Sequence, residues 1–158
     1  MNTILQEMLK QYSADNPAER KNAVKEIMQE IVLCGLSRAG FFRHAAFCGE
    51  TTLRIFYGLD RFSEDLDFSL TVPEPGFDLS RFFPILKKEL SSYGLNVTIT
   101  ERETKDSDIR SAFVKGNTKE HLLLFCSSDT LAAGTAGNET IRIKFEVDIN
   151  PPEGPGLF

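Results

Sequence analysis

The stretch of sequence that decides the fold lies at residues 61–69 and reads RFSEDLDFS. From Asp65 onward, acidic or hydroxyl residues alternate with apolar ones as far as Leu70. Because successive side chains of a β-strand point to opposite faces, Asp65, Asp67 and Ser69 share one face, and the apolar residues share the other. The pattern predicts a strand with one buried face and two carboxylates on the opposite face.

Two carboxylates side by side repel each other, and each disfavours ionisation of its neighbour unless a cation lies between them. Hard oxygen ligands suit Mg²⁺ or Mn²⁺, and such a pair can support in-line phosphoryl chemistry. Asp65 and Asp67 are therefore candidate metal ligands. The alternative is an exposed edge strand whose acidic face has no ligand.

An upstream segment, GETTLR at residues 49–54, has the composition of an anion site. Gly49 would end a strand, and Thr51 and Thr52 would open a helix whose free N–H groups can meet phosphate. An ordinary strand-to-helix turn capped by either threonine is the alternative. Arg54 could reach phosphate or instead pair with a nearby acid.

A downstream segment, RIKFEVDIN at residues 142–150, alternates strictly between polar and apolar residues. The apolar set must face the core, so Lys144, Glu146 and Asp148 lie along one polar face. A lysine among acids suits a phosphate-binding cation and a third metal carboxylate, for which both acids are candidates. A solvated strand face with cross-strand ion pairs is the alternative.

The bulk composition is that of a folded protein of one domain: 158 residues, 41% hydrophobic and 26% charged. A net charge of −5 disfavours non-specific adhesion to nucleic acid through a basic surface. The scattered Cys34, Cys48 and Cys126 are expected to be buried free thiols in a reducing compartment. No apolar run spans a bilayer and no signal peptide opens the chain, so a cytoplasmic protein is expected.

The rest of the chain supplies helices and further strands. Asn16 and Pro17 cap and open a long helix that should end near Gly40, with Glu26 and Glu30 on its solvated face. Other helices are expected near residues 4–9, 52–57 and 78–93, and strands at 45–48, 65–70, 96–103, 109–115, 120–125 and 140–150. The order predicts an α/β (α+β) fold, with a mixed sheet and helices packed on one side. We expect one domain over 1–158: helices over about 1–40, a sheet region over about 41–150, and an exit loop at 151–158.

Residues 49–69, read together, resemble the signature of AbiEii-type nucleotidyltransferases, the toxin components of type IV (AbiE) toxin–antitoxin and abortive-infection systems. The resemblance continues more weakly into residues 143–147. It implies a DNA polymerase β-like nucleotidyltransferase fold and Mg²⁺- or Mn²⁺-dependent transfer from an NTP to RNA, such as a tRNA end, or to protein. It also implies an AbiEi-type antitoxin partner and no membrane association.

The resemblance further implies roles for individual residues. Asp65 and Asp67 would bind metal, with Glu146 as the third carboxylate and Asp148 as its competitor. Lys144 would contact phosphate. The residues expected at the substrate or nucleotide are Gly49, Thr51, Thr52, Arg54 and Ser63.

Two departures from the family pattern bear on function. Glu50 stands where most members carry a second glycine, and the sequence ends at Phe158, where members usually continue with a largely helical half. Both features favour a rival interpretation, a catalytically degenerate module that binds nucleotide or a partner protein. A simple metal-dependent phosphoesterase is a third interpretation.

Overall fold

The computed structural model describes residues 3–12, 16–48, 65–102, 107–125 and 135–151. The helices are α1 (Thr3–Leu9), α2 (Pro17–Arg38), α3 (Phe83–Ser92) and α4 (Thr118–Phe125), with short 3-10 helices at Phe41–Arg43 and Leu79–Phe82. The strands are β1 (Ala45–Cys48), β2 (Asp65–Leu70), β3 (Val97–Arg102), β4 (Ile109–Asn117) and β5 (Thr140–Asp148). None of these helices combines the length and the apolar character that crossing a membrane requires.

The strands form one mixed sheet in the order β1-β2-β5-β4-β3. Strands β2 and β5 are parallel, and the other neighbours are antiparallel. One face carries most of the apolar residues of the five strands and packs into the same buried cluster as the inner sides of α2 and α3. The predicted α/β architecture, a mixed sheet with helices packed on one side, is confirmed.

Helix α2 begins where its sequence predicts. The Asn16 side chain accepts a hydrogen bond from the backbone N–H of Glu19 at 2.9 Å, and Pro17 occupies the first turn. The chain leaves the helix through Gly40, whose φ of +81° suits a residue without a Cβ. The expected limits of this helix are therefore confirmed.

Helices α2 and α3 pack closely because Gly35 has no side chain. A Cβ at Gly35 would lie 2.8 Å from Leu86 Cδ1 and 3.2 Å from Glu89 Cβ. At the same contact, Arg38 Nη1 donates to the buried carboxylate of Glu89 at 2.9 Å. This pair satisfies a charge that would otherwise be costly to bury.

Three expectations from the sequence are wrong in detail. Residues 120–125 are helical, not extended, because the Asn117 side chain accepts from the N–H of Glu120 at 2.9 Å and caps α4. Cys34 is exposed and Cys48 half-buried, while Cys126 lies outside the described residues. Glu26 is buried, not solvated. The helix expected at 52–57 also lies outside the described residues, as does the exit loop beyond residue 151.

The buried Glu26 affects the pKa of Glu30, which lies one helical turn later. Burial raises the pKa of Glu30, the charge of Glu26 raises it further, and a hydrogen bond from Tyr12 lowers it in part. Tyr12 also donates to Glu26 Oε1 at 2.9 Å. A carboxyl whose pKa is raised on folding destabilises the fold when ionised, so this cost is present at neutral pH and disappears as pH falls to the pKa of the unfolded chain.

We expect Glu30→Gln to raise the free energy of unfolding at pH 7 by about 0.5 kcal/mol, because it removes a like-charge pair one turn apart. As the pH falls to about 4, close to the pKa of a glutamate in the unfolded chain, the difference should become smaller. Urea unfolding at both pH values measures this. Glu7→Gln, which removes the exposed partner of Lys10, is the control and should change little. A loss of stability at pH 7 in Glu30→Gln would contradict the prediction.

Candidate active site

The parallel pairing of β2 with β5 brings the two polar faces predicted from the sequence onto one surface. Asp65 lies opposite Lys144, and Asp67 lies opposite Glu146. One step further, Ser69 lies opposite Asp148. Residues far apart in the chain therefore form one acidic row with a lysine at its start, on the face of the sheet opposite the core.

The side chains of this row differ in exposure and in contacts. Asp65 is exposed, and Asp67 is half-buried. Lys144 Nζ lies 2.6 Å from Glu146 Oε1, and the side chains of both residues are 31% exposed. A contact of this length at partial exposure is a charge-assisted hydrogen bond that holds the lysine and the carboxylate side by side.

Asp148 makes a different contact from Glu146. Its Oδ1 accepts a hydrogen bond from the backbone N–H of Asn150 at 2.9 Å, where β5 ends. This is a local cap that holds the carboxylate at the end of the strand. Glu146 instead lies opposite Asp67 in the middle of the row.

The donor chemistry of the row fits a hard divalent cation. Asp65, Asp67 and Glu146 offer only carboxylate oxygens, the ligands that Mg²⁺ and Mn²⁺ prefer. Among the described residues, no group of three or more histidine, cysteine, aspartate or glutamate side chains is gathered closely enough to hold a metal ion. Asp65, Asp67 and Glu146 match such an ion in donor type and in the face that they share, but not as a gathered set of ligands.

Cys48 belongs to the same surface, which the sequence did not indicate. It ends β1 and lies opposite Asp67 in the antiparallel pair of β1 and β2. Burial raises the pKa of the Cys48 thiol, and the negative charges of Asp67 and Asp148 raise it further. The charge of the acidic row therefore affects the thiol. At a given pH, a smaller fraction of Cys48 than of an ordinary cysteine is present as the reactive thiolate.

We expect Asp67→Asn to speed alkylation of Cys48 by iodoacetamide several-fold at pH 8. Removing the aspartate charge lowers the pKa of the thiol, so more thiolate is present at the same pH. Mass spectrometry of the modified peptides gives the rate, with the exposed Cys34 as internal reference. Asp78→Asn, in which the amide oxygen can still cap the N–H of Ser80, is the control and should leave the rate unchanged. If alkylation of Cys48 in Asp67→Asn is slower or unchanged, the charge of Asp67 does not raise the pKa of the thiol.

The other predicted site residues cannot be placed. Gly49, Thr51, Thr52, Arg54 and Ser63 all lie outside the described residues. Their assignment to the nucleotide remains a prediction from the sequence.

Strand β4 adds an aromatic residue to the polar face, also not identified from the sequence. Phe113 lies opposite Lys144 and is half-buried, whereas its neighbours Ala112 and Val114 are fully buried on the core face. The signal was present in the sequence as an apolar residue out of phase with the core face of its strand. Which residues Phe113 lies beside depends on which strand pairs with β4.

Comparison with known proteins places the chain in a family. The model of the nucleotidyl transferase AbiEii toxin family of type IV toxin–antitoxin systems matches residues 31–156. No curated protein sequence matches the chain significantly.

Two crystal structures from H. pylori resemble the fold. JHP933 has a TM-score of 0.50 and 22% identity, over 82% of this chain and 44% of that one. A candidate nucleotidyltransferase has a TM-score of 0.47 and 22% identity, over 79% of this chain and 44% of that one. The chain thus spans less than half the length of these structures, and the likeness to JHP933 supports a shared fold.

The family match covers β1 to β5, including both strands of the acidic row and most of the core beneath them. The chain belongs to the AbiEii nucleotidyl transferase toxin family of type IV toxin–antitoxin systems.

Proposed function

We propose that the chain transfers a nucleotidyl group from an NTP to an acceptor hydroxyl, as the toxin of a type IV toxin–antitoxin system in the cytoplasm. The observation that carries the proposal is the β2–β5 register, which sets Asp65 beside Lys144 and Asp67 beside Glu146 on one accessible face. Family membership supports the reaction class. The acceptor is RNA, such as a tRNA end, or a protein side chain, and the partner is an AbiEi-type antitoxin.

In the proposed reaction, the acceptor oxygen forms a bond to the α-phosphorus of the NTP as the bond to the bridging oxygen breaks. Pyrophosphate leaves with the bonding electrons, and the acceptor proton passes to solvent. Asp65, Asp67 and Glu146 would hold Mg²⁺ or Mn²⁺. When bound, the ion supplies positive charge that offsets the charge of the triphosphate.

Glu146 is the better candidate than Asp148 for the third carboxylate. Glu146 lies directly opposite Asp67, whereas Asp148 lies one step further and accepts the N–H of Asn150. The hydrogen bond between Lys144 and Glu146 keeps the ammonium group at the row. There Lys144 can bind a phosphate oxygen and stabilise charge that develops in the transition state.

A second function, binding of nucleotide or antitoxin without chemistry, is favoured by the same pair. Lys144 Nζ and Glu146 Oε1 form an ion pair at 2.6 Å, so this pair must break before Lys144 can bind phosphate or Glu146 can bind a metal ion. A binding module would keep the surface but catalyse no transfer.

Labelled NTP incubated with Mg²⁺ and either RNA or total protein distinguishes these functions. Transfer of label to an acceptor, released pyrophosphate and loss of both on chelation support nucleotidyl transfer. Binding of NTP by calorimetry with no labelled acceptor under any condition overturns it in favour of the binding module. Release of inorganic phosphate with no acceptor labelled would instead indicate a phosphoesterase.

A further inference from the structure

A cluster of one aromatic ring and two cations lies beside the acidic row, and we refer to Phe113, Lys115 and Arg142 as the ring cluster. Arg142 Cζ lies 5.1 Å and Lys115 Nζ 5.6 Å from the centroid of the Phe113 ring. Lys115 and Arg142 are opposite each other in the β4–β5 pair, and both are exposed. Two neighbouring cations therefore lie over one half-buried ring at the surface of the sheet.

The ring cluster is in register with the acidic row. Asp65 in β2, Lys144 in β5, Phe113 in β4 and Thr100 in β3 follow one another across four neighbouring strands. Since neighbouring strands are separated by about 4.8 Å, the Cα atoms of Phe113 and Asp65 are about 10 Å apart. Lys144 lies between them. The surface thus changes from acidic to basic over the width of two strands.

The two cations of the ring cluster, Lys115 and Arg142, repel each other. Like charges directly opposite on neighbouring strands destabilise a sheet. Within the part of the chain that the structure describes, no carboxylate forms an ion pair with Lys115 or Arg142, and their recorded partner is the Phe113 ring. An anion that bound both cations would relieve their repulsion.

Two kinds of group are presented together here: an aromatic ring and two cations that lie over it, which would move onto a phosphate when a base takes their place on the ring. Aromatic side chains stack on nucleobases, and lysine and arginine bind phosphate oxygens. An acidic peptide or a lipid headgroup would use the cations but leave the ring without a stacking partner. A nucleotide unit uses both.

We propose that Phe113, Lys115 and Arg142 form a nucleotide subsite, in which the base stacks on Phe113 and a phosphate binds Lys115 and Arg142. This proposal extends the proposed function, since the nucleotide would be either the NTP or the terminal nucleotide of an acceptor strand held next to Asp65 and Asp67. The two sources share one chemistry, and separate binding measurements distinguish them.

The test measures binding of NTPs and of a short single-stranded RNA oligonucleotide to the full chain, by fluorescence anisotropy and calorimetry. Phe113→Leu keeps an apolar side chain but removes the stacking face, and we expect it to weaken binding roughly ten- to hundredfold. The matched control is Phe42→Leu, which changes a partly exposed phenylalanine that packs against Phe41 and Phe68 and not on the polar face.

A second variant, Lys115→Gln/Arg142→Gln, keeps the test decisive if Phe113→Leu fails to fold. Its loss of two phosphate contacts should lower the slope of log K against log salt for the oligonucleotide by about 1.4. The control Lys87→Gln/Lys88→Gln changes two exposed cations on α3 and should leave that slope unchanged. A merely structural role for the cluster would not alter the salt slope.

Weaker binding of NTPs alone assigns the subsite to the donor, and weaker binding of the oligonucleotide alone assigns it to the acceptor. Wild-type affinity of both variants for both ligands overturns the proposal, even if label transfer by the wild type is intact and the proposed function stands. The reverse result is also distinct: binding that depends on the ring cluster, with no transfer by any form, supports the subsite and rejects the nucleotidyl transfer.

Discussion

Asp67→Asn is expected to lower NTP-dependent nucleotidyl transfer by about 10³-fold, comparable to the loss of a single charge-stabilising group in an active site. Asp67 is central to the surface, with Cys48 opposite it in β1 and Glu146 opposite it in β5. Asparagine has nearly the same shape but lacks the charge that would hold Mg²⁺ against the triphosphate. The fold should be unaffected because the side chain is only half-buried on the polar face.

The measurement is single-turnover transfer of label from NTP to acceptor, with thermal unfolding of each variant to establish that it is folded. The matched control is Asp78→Asn, an exposed aspartate that accepts the N–H of Ser80 at 3.1 Å and lies outside the acidic row. Its activity should equal that of the wild type. If folded Asp67→Asn kept more than about a tenth of wild-type transfer, Asp67 would not be a metal ligand of this reaction.

Phe145→Ala is expected to cost about 3–5 kcal/mol of unfolding free energy, a large part of the roughly 5–15 kcal/mol that stabilises a typical domain. Phe145 is completely buried in the central strand, between Leu66 in β2 and Ala112 in β4. Its ring makes edge-on contacts with Phe68 and Phe83, at centroid distances of 6.5 and 6.4 Å. Truncation leaves a cavity between the sheet and α3.

Urea unfolding gives the free energy, and Phe145→Leu provides an intermediate case if the alanine variant does not fold. The control is the next residue along the strand, Glu146, whose side chain points to the opposite face. Glu146→Gln removes a partly exposed ion pair and should change stability by no more than about 1 kcal/mol. Equal losses from Phe145→Ala and Glu146→Gln would contradict the division of β5 into a core face and a polar face.

Strict alternation of polar and apolar residues predicted two of the strands. Residues 65–70 form β2 as expected, and the strand expected at 140–150 is observed at Thr140–Asp148. Alternation is a local property that determines both the strand and the side chains that share a face. Helix α2 was equally predictable, because a capping side chain and a proline mark its first turn.

The segment at residues 120–125 shows where local patterns fail. A short apolar run, here Leu122 to Phe125, is compatible with a buried strand and with a buried helix. The segment is helical because Asn117 caps the first turn of α4 and because packing buries His121 and Phe125, which lie four residues apart. The burial of Glu26 could not be predicted from a local pattern either. The carboxylate is buried because it accepts a hydrogen bond from the hydroxyl of Tyr12, which lies in the segment after α1.

The sequence by itself determined that Asp65 and Asp67 share one face of a strand, and that Lys144 and Glu146 share one face of another. Both follow from the two-residue repeat of an extended chain, which needs no knowledge of other strands. The tertiary structure decided that these faces meet in register, that Cys48 adjoins Asp67, and that Phe113 lies beside Lys144 with two cations around it. Strand order and register depend on packing between residues far apart in the chain, so no local pattern could specify them.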